Sequence, residues 1–358
     1  MLAKRLSPEN LGAYDPAELV GAVLLAPVQI TSGTLRKGTR LDAEAGSSLV
    51  AAARSGSLKQ PVRLAWPGPD DWHEDDAAEA LAIAAAGSGL RRLPPRQSRL
   101  DLVAAYDGVF YVRTDALLRL NTIDLLELFT LFHGQVVQAG QVVASVKVAP
   151  HLIPLATLAE GIAIACENGE PLIEVRTYEP FDVPAIVTQG VSSIDLGRFE
   201  SGARVKLEAF GSRFSGTTVI AAEDAEGAER EIKATLQKLV LDRGRQLVLV
   251  GGVSAGDPIS PFFAALRGLG GRVIRHGVPA HPGSMIWLAE LAESQLLGLP
   301  QCGMFAKATA ADLILPRLLT GERMTVKGLA ELAHGGVLGR EMRFRFPSYA
   351  QDLDAPEG

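Results

Sequence analysis

The pattern of apolar and polar positions changes near residue 180 of the chain. Before this point short alternating runs mix with Ala-rich segments, and after it short, wholly apolar runs alternate with longer amphipathic segments. Wholly apolar runs are typical of strands that are buried on both faces of a parallel sheet. The pattern predicts an α/β fold, in which a C-terminal three-layer αβα domain is preceded by smaller α+β modules.

The clearest unit of the second half begins at Leu247–Val250, which is expected to be a buried strand. The strand ends at a pair of glycines. In the helix that follows, Ser260 suits the cap and Pro258 and Pro261 suit the first positions. Gly270 and Gly271 suit its end. A second strand, Arg272–Val278, completes a β-loop-α-β unit. Small ligands bind at the carboxyl ends of such strands, and glycines there let backbone N–H groups approach an anion. We therefore expect the ligand site in the loop after Leu247–Val250.

The remaining elements of the second half follow from the same periodicities. Further strands are predicted at Ala185–Thr188, Thr217–Ala221, Met285–Leu291 and Gln295–Leu299. Helices are predicted at Phe199–Phe210, Ala225–Leu241 and Lys307–Leu319, and a Gly-containing turn at Gln189–Ser193.

The first half mixes helices and strands. Helices are predicted at Ala43–Ser55, Thr122–Phe132 and Leu155–Cys166, strands at Val62–Trp66 and Leu172–Tyr178, turns at Gly33 and Asp107–Gly108, and a linker at Arg91–Leu100. A cluster of carboxylates precedes or enters the first turn of an Ala-rich helix, and comprises Asp70, Asp71, Glu74, Asp75 and Asp76. Carboxylates there complement the helix dipole, which we prefer over a metal or partner role. We expect modules at 1–95 and 96–179, an αβα domain at 180–325 and a tail at 326–358.

Composition narrows the function. The chain has 358 residues, of which 47% are hydrophobic and 21% charged, enough for large cores in two or more domains. The net charge of -6 argues against nucleic acid as the main partner. No stretch approaches the roughly 20 apolar residues of a membrane span. The two cysteines, Cys166 and Cys302, lie far apart, so we expect a cytoplasmic protein without a disulfide framework, with Cys166 in the core.

Three motifs in the second half resemble one protein family. GGVSAGD, GGRVIRHGVPAHPG and LLGLPQC have the order and spacing of the three ligand loops in the molybdopterin-binding domain of molybdenum cofactor biosynthesis proteins. This resemblance covers roughly Pro184–Glu322. In the first half, ITSGTLRKGTRL, HEDDAAEAL, YDGVFYV and AGQVVASVKVAPHLIP are similar to the molybdopterin-binding proteins associated with molybdenum hydroxylases.

The resemblance implies that the αβα domain binds molybdopterin, or its nucleotide or molybdenum-loaded form, and that an enzymatic version would also use Mg²⁺ and molybdate. The implied partners are an apo molybdenum hydroxylase and a second copy in a homodimer, whereas the composition argues against nucleic acid and a membrane as partners. The implied cofactor-binding residues are Gly251, Gly252, Ser254, Gly256, Asp257, His281, Pro282, Gly283, Gly298, Pro300 and Cys302. No residue is assigned as a metal ligand.

Four of these residues have a second interpretation. Asp257, the candidate catalytic residue, either contacts the pterin or a cation, or caps the next helix. Ser254 either contacts the ligand or bonds the backbone of its turn. Cys302 is either a thiolate near molybdenum or the dithiolene, or a small buried apolar residue. His281 either contacts the ligand phosphate or is a solvent-facing loop residue.

The first functional hypothesis is that the protein handles the cofactor and delivers it to a molybdenum hydroxylase. One alternative is a molybdopterin molybdenumtransferase, or metal insertase. Against it, Thr188–Ser193 reads TQGVSS without the acidic pair of insertases, and the other two loops read AHPGSM and GLPQCGM. A second alternative is a serine esterase, since Gly252–Gly256 matches the G-x-S-x-G elbow with Ser254 as nucleophile. Against the esterase, the helix of such an elbow begins directly after the serine.

Overall fold

The computed structural model describes residues 1–96, 99–188, 191–257, 259–300 and 308–351. The chain forms two compact units. The first comprises Met1–Tyr106, Phe110–His133 and Val137–Val175, and the second comprises Asp107–Val109, Gly134–Val136 and Arg176–Gly358. None of the helices in the described ranges is long and apolar enough to cross a membrane.

The described part of the chain up to residue 176 contains short strands and five α-helices. The strands are β1 (Leu2–Leu6), β2 (Val23–Leu24), β3 (Val28–Ile30), β4 (Gly33–Leu35), β5 (Val62–Trp66), β6 (Asp71–His73), β7 (Leu90–Arg92), β8 (Arg99–Ala104), β9 (Gly108–Val112), β10 (Leu126–Thr130), β11 (Gln135–Val137), β12 (Val142–Val148), β13 (Leu152–Pro154) and β14 (Ile173–Arg176). The helices are α1 (Pro8–Gly12), α2 (Ala43–Arg54), α3 (Glu74–Ala85), α4 (Thr114–Leu120) and α5 (Leu155–Ala165). The sheets have the strand orders β1-β5-β2, β10-β12-β8-β7, β11-β9-β14, β13-β6 and β3-β4.

The first unit has two main hydrophobic cores. One lies under α2 and includes Leu49 and Leu64, and the other joins α3 and α5 to strands β8 and β12. Glu74 occupies the first turn of α3, as the dipole argument predicts. It is also buried and forms an ion pair with His151, with 2.8 Å between Oε2 and Nδ1. The long-range partner of this carboxylate is not visible in the local sequence.

The second unit is built around a six-stranded sheet. Its strands are β15 (Asp182–Val187), β16 (Arg213–Val219), β17 (Leu247–Gly251), β18 (Arg272–Arg275), β19 (Trp287–Leu291) and β20 (Ser294–Leu299), in the order β16-β15-β17-β20-β19-β18. Its α-helices are α6 (Ser193–Glu208), α7 (Ala225–Leu236), α8 (Pro261–Gly268), α9 (Ala311–Leu318), α10 (Val326–Ala330) and α11 (Ser348–Gln351). A π-helix, Gln237–Asp242, continues α7.

Helices cover both faces of this sheet. Alternate residues of β17 belong to different cores: Leu247 and Leu249 pack with α6 and α9, whereas Val248 and Val250 pack with α7 and α8. Since successive side chains of a strand point to opposite faces, the two cores lie on opposite sides of the sheet. The α/β class and the three αβα layers that the sequence predicts are confirmed.

The order of elements in the second unit agrees well with the sequence. The strand at Leu247–Val250, the Ser260 cap of α8 and the strand pair before Pro300 are present. The strand expected at Thr217–Ala221 spans Arg213–Val219 instead. Its start is not visible in the sequence, because this edge strand is polar and lacks an apolar run. α6 also begins earlier than expected, at Ser193, behind the capping side chain of Ser192.

Several expectations for the first half are wrong. The predicted helix at Thr122–Phe132 is strand β10, which pairs with β12. The turn expected at Asp107–Gly108 lies where the chain passes from β8 to β9, but these strands belong to different sheets, since β9 pairs with β11 and β14. Part of the expected linker Arg91–Leu100 belongs to paired strands β7 and β8. Cys166 is exposed at the end of α5 and not in the core.

Candidate functional site

Loops of the second unit leave the same edge of its sheet. β15, β17 and β20 run parallel, with Val187 opposite Gly251 and Gly251 opposite Leu299. β19 is antiparallel to β20, and β18 is antiparallel to β19, so β18 ends at this edge as well. The three resembling loops therefore start from one carboxyl edge, which is where open α/β sheets bind ligands.

Gly251 and Gly252 shape the first loop. Gly251 is the buried last residue of β17, and Gly252 has a φ of +82°. A Cβ at Gly252 would lie 2.8 Å from Thr188 Oγ1. The Gly252 N–H donates to the Leu299 carbonyl at 3.2 Å. Thr188 is not among the predicted cofactor-binding residues. Thr188 is recognised as a neighbour of the loop from its position directly after β15, the parallel strand beside β17.

The loop has backbone donors available for an anion. The N–H groups of Val253, Ser254 and Ala255 donate to no acceptor among the described residues. By contrast, the Gly256 N–H donates to Ser254 Oγ at 3.2 Å, and the Asp257 N–H donates to the Ser254 carbonyl at 3.3 Å. Successive unpaired N–H groups form a concavity that suits an anion.

The side chains of Ser254 and Asp257 are exposed and bond only locally within the described part of the loop. Asp257 Oδ1 accepts from the Ile259 N–H at 3.2 Å, which closes a turn. The cap of α8 is Ser260, whose Oγ accepts from the Phe262 N–H at 3.4 Å. Asp257 is therefore not the helix cap. Pro258, expected at the start of the helix, lies outside the described residues.

The esterase alternative needs a base beside Ser254. Within the described residues, the Ser254 hydroxyl has a backbone partner, Gly256, and no histidine contact. His276, the histidine after β18, packs edge-on against the Phe263 ring with 5.1 Å between ring centroids. α8 begins at Pro261, well after the serine. The described part of this region therefore lacks the nucleophile–base pair and the elbow helix of that class.

A buried tryptophan supports the first loop. Trp287 Nε1 donates to the Val253 carbonyl at 3.0 Å, and the indole packs against the rings of Phe262 and Phe263. Gly298 lies opposite Trp287 within β20 and is buried. The structure therefore places Gly298 in the sheet beneath the site, whereas the adjoining Pro300 is half-buried at its edge.

The second loop contains the cis peptide bond His281–Pro282. The exposed His281 is held through its backbone, whose N–H donates to the Gly336 carbonyl at 2.8 Å. The Pro282 carbonyl accepts from the Ala310 N–H at 2.9 Å, and a Cβ at Gly283 would lie 2.8 Å from the same nitrogen. Pro282 and Gly283 thus fix this loop against the start of α9. Of the third loop, Cys302 lies outside the described residues.

Behind the site, α9 carries a buried ion pair. Asp312 is 0% exposed, and its Oδ1 lies 2.7 Å from Lys206 Nζ. The same oxygen accepts from the Tyr349 hydroxyl at 2.9 Å, and Oδ2 accepts from the Thr309 N–H at 2.8 Å. The ion pair joins α6 to α9, and the Tyr349 hydroxyl adds α11. Local sequence patterns do not reveal these contacts, because the three residues lie on different helices and far apart in the sequence.

The electrostatics of the edge favour an anion. α6 and α8 follow β15 and β17 and begin at this edge, with their N-termini capped by Ser192 and Ser260. Helix N-termini carry partial positive charge and stabilise phosphate or carboxylate groups. Within the described ranges, no three His, Cys, Asp or Glu side chains are placed to hold a metal ion.

Comparison with known proteins gives distant similarities. No family model matches the sequence, and no curated protein matches it. Among solved structures, the chain is similar to the molybdopterin biosynthesis enzyme MoaB from Thermus thermophilus, with 17% identity, coverage of 40% of this chain and 98% of that chain, and a TM-score of 0.29. It is also similar to the molybdopterin biosynthesis MoeA protein from Pyrococcus horikosii, with 14% identity, coverage of 73% of this chain and 80% of that chain, and a TM-score of 0.27. A third similar structure is the molybdopterin biosynthesis Mog protein from Mycobacterium ulcerans, with 12% identity, coverage of 38% of this chain and 94% of that chain, and a TM-score of 0.26. At this level of similarity the activities of those proteins are not transferred to this chain.

Proposed function

We propose that the second unit binds molybdopterin, or its nucleotide or molybdenum-loaded form, and that the protein acts in molybdenum cofactor biosynthesis or delivery. The proposal is carried by the strand topology, because the loops that resemble the family leave one carboxyl edge of one sheet. Three separate motifs along the chain thereby begin at one edge of the sheet.

The chemistry of this edge suits the proposed ligand. Molybdopterin combines a flat polar ring with a terminal phosphate. The unpaired N–H groups of Val253, Ser254 and Ala255 and the starts of α6 and α8 suit the phosphate. The exposed Asp257 carboxylate keeps acceptor capacity for ring nitrogens beyond its bond to Ile259. We propose an apo molybdenum hydroxylase as the recipient, with the protein acting as a homodimer.

Calorimetric titration of the purified protein with molybdopterin, its adenylated form and its molybdenum-loaded form tests the proposal. Ser254→Ala and Asp257→Ala are expected to weaken binding about tenfold, or 1.4 kcal/mol. The matched controls Ser201→Ala and Asp242→Ala change exposed side chains outside the loops and are expected to bind like the wild type. Absence of binding to all three forms would refute the proposed function.

The insertase version makes a separate demand. It requires turnover of adenylated molybdopterin in the presence of molybdate and Mg²⁺, with Asp257 as the positioned acidic group. If it holds, Asp257→Ala abolishes turnover while some binding remains. Tight binding by the wild type without turnover would leave delivery as the role and exclude the insertase.

A further inference from the structure

The first unit contains a groove of about 840 Å³ that the resemblance does not involve. It lies beside the three-stranded sheet β1-β5-β2 and next to the β3-β4 pair. Its volume is within the ~300–1,000 Å³ range typical of small-molecule sites. The groove is therefore large enough for an organic ligand.

Two arginines face each other at this groove. Arg5 on β1 and Arg63 on β5 are direct cross-strand neighbours, and both side chains are exposed. Directly opposite residues of an antiparallel pair lie on the same face, and like charges in this position are unfavourable. Lys59, also exposed, adds a third positive charge. Within the described residues, none of these three cations is paired with a carboxylate.

The rest of the groove is apolar with neutral donors. Its accessible apolar lining is formed by Ala26, Pro27 and Pro61, which are half-buried or exposed. Gln29 accepts a hydrogen bond from the Thr34 hydroxyl through its amide oxygen, which leaves its NH₂ group to donate elsewhere. The groove thus combines positive charge, an amide donor and apolar surface.

We propose that this groove binds a small organic molecule that carries a diphosphate or two neighbouring phosphate groups. Guanidinium groups match the geometry of phosphate oxygens through paired N–H donors. The three positive charges of Arg5, Arg63 and Lys59 balance the charge of a diphosphate. The bound diphosphate in turn removes the repulsion between the two arginines. The apolar surface of Ala26, Pro27 and Pro61 contacts the organic part. This site is independent of the molybdopterin site proposed in the second unit.

Calorimetric titration of the full-length protein with inorganic diphosphate tests the proposal, with citrate as a carboxylate probe of similar charge. Arg5→Gln and Arg63→Gln are each expected to weaken diphosphate binding about tenfold or more, because each removes one guanidinium fork. Lys4→Gln is the matched control: it removes the same charge from the opposite face of β1, where Lys4 contacts Tyr14. It is expected to bind like the wild type.

A second measurement tests the charge repulsion without any ligand. At low ionic strength Arg63→Gln is expected to raise the midpoint of thermal unfolding, and diphosphate is expected to raise the midpoint of the wild type more than that of the variant. The proposal is overturned by undetectable diphosphate binding, by equal binding in all variants, by tighter binding of citrate, or by a lower midpoint for Arg63→Gln.

Discussion

Trp287 occupies the space in which residue 298 would carry a side chain. A Cβ at Gly298 would overlap the Cε2 and Cδ2 atoms of the Trp287 indole, and the two residues are direct partners on β20 and β19. The indole in turn donates to the Val253 carbonyl at 3.0 Å. Gly298 therefore makes room for the ring that fixes the candidate ligand loop.

Gly298→Ala is expected to lower the free energy of unfolding by about 1–3 kcal/mol, because the core around the indole is overpacked. It is also expected to weaken molybdopterin binding by moving the loop. Urea unfolding and titration measure the two effects. The control Gly197→Ala lies on α6, where a Cβ meets nothing within 4 Å, and is expected to stabilise the protein by about 0.5–1 kcal/mol. Equal effects of the two substitutions would contradict the assigned role of Gly298.

Asp312→Ala is expected to destabilise the protein strongly. The substitution leaves Lys206, whose side chain is 18% exposed, without its carboxylate partner. Removal of one member of a buried pair costs about 3–5 kcal/mol, and the partial exposure of the lysine places the expected loss at the lower end. The control Glu226→Ala removes the partner of Arg230 in an exposed pair and should cost about 0.5 kcal/mol or less. Similar losses in urea unfolding would refute this prediction.

Stability is expected to fall at alkaline pH. Burial, with the nearby Asp312 charge, raises the pKa of Tyr349 well above its ordinary value, and burial also raises the pKa of Tyr178. A raised folded-state pKa gives stability that is present below the unfolded-state pKa of about 10 and is lost as pH rises further. The loss is expected to reach about 1.4 kcal/mol per pH unit for each tyrosine. Urea unfolding at increasing pH measures this slope, which Tyr349→Phe should reduce. An unchanged slope in the variant would show that Tyr349 is not responsible.

Gly252→Ala is expected to affect the ligand loop more than the fold. Its φ of +82° costs a residue with a Cβ about 1–2 kcal/mol, and the Cβ would press on Thr188 Oγ1. We expect this loss in urea unfolding, and weaker molybdopterin binding because the N–H groups that follow are displaced. Adding Thr188→Ala should recover the part of the lost stability that comes from the steric contact, and leave the part that comes from the backbone conformation. No recovery in the double variant would show that the contact with Thr188 is unimportant.

The sequence predicts the second unit better than the first, for a physical reason. Strands buried on both faces must be apolar throughout, so runs such as Leu247–Val250 are visible without knowledge of their neighbours. Leu126–Thr130, by contrast, fits helical spacing locally, and its pairing with β12 decides that it is a strand. Long-range pairing of this kind is absent from local periodicity.

The candidate site was predictable only as loops. Glycine-rich sequences after buried strands indicate where a ligand binds, and the topology brings those loops to one edge. Single side chains are harder: Gly298 resembles a loop residue but lies in a strand, and the Asp257 interaction is a turn and not a helix cap. Thr188 is identified only when β15 and β17 are known to be neighbours.

The two outer strands of the six-stranded sheet, β16 and β18, also affect how copies of the protein can associate. The pairing of each with its inner neighbour is irregular, at Val183/Ala185 and at Val273/Arg275. β18 is short and has Arg272 at its start. Irregular, short and charged edges oppose the addition of a strand from another molecule. A homodimer that extends this sheet from one copy into the next is therefore disfavoured, as is edge-to-edge aggregation at high concentration.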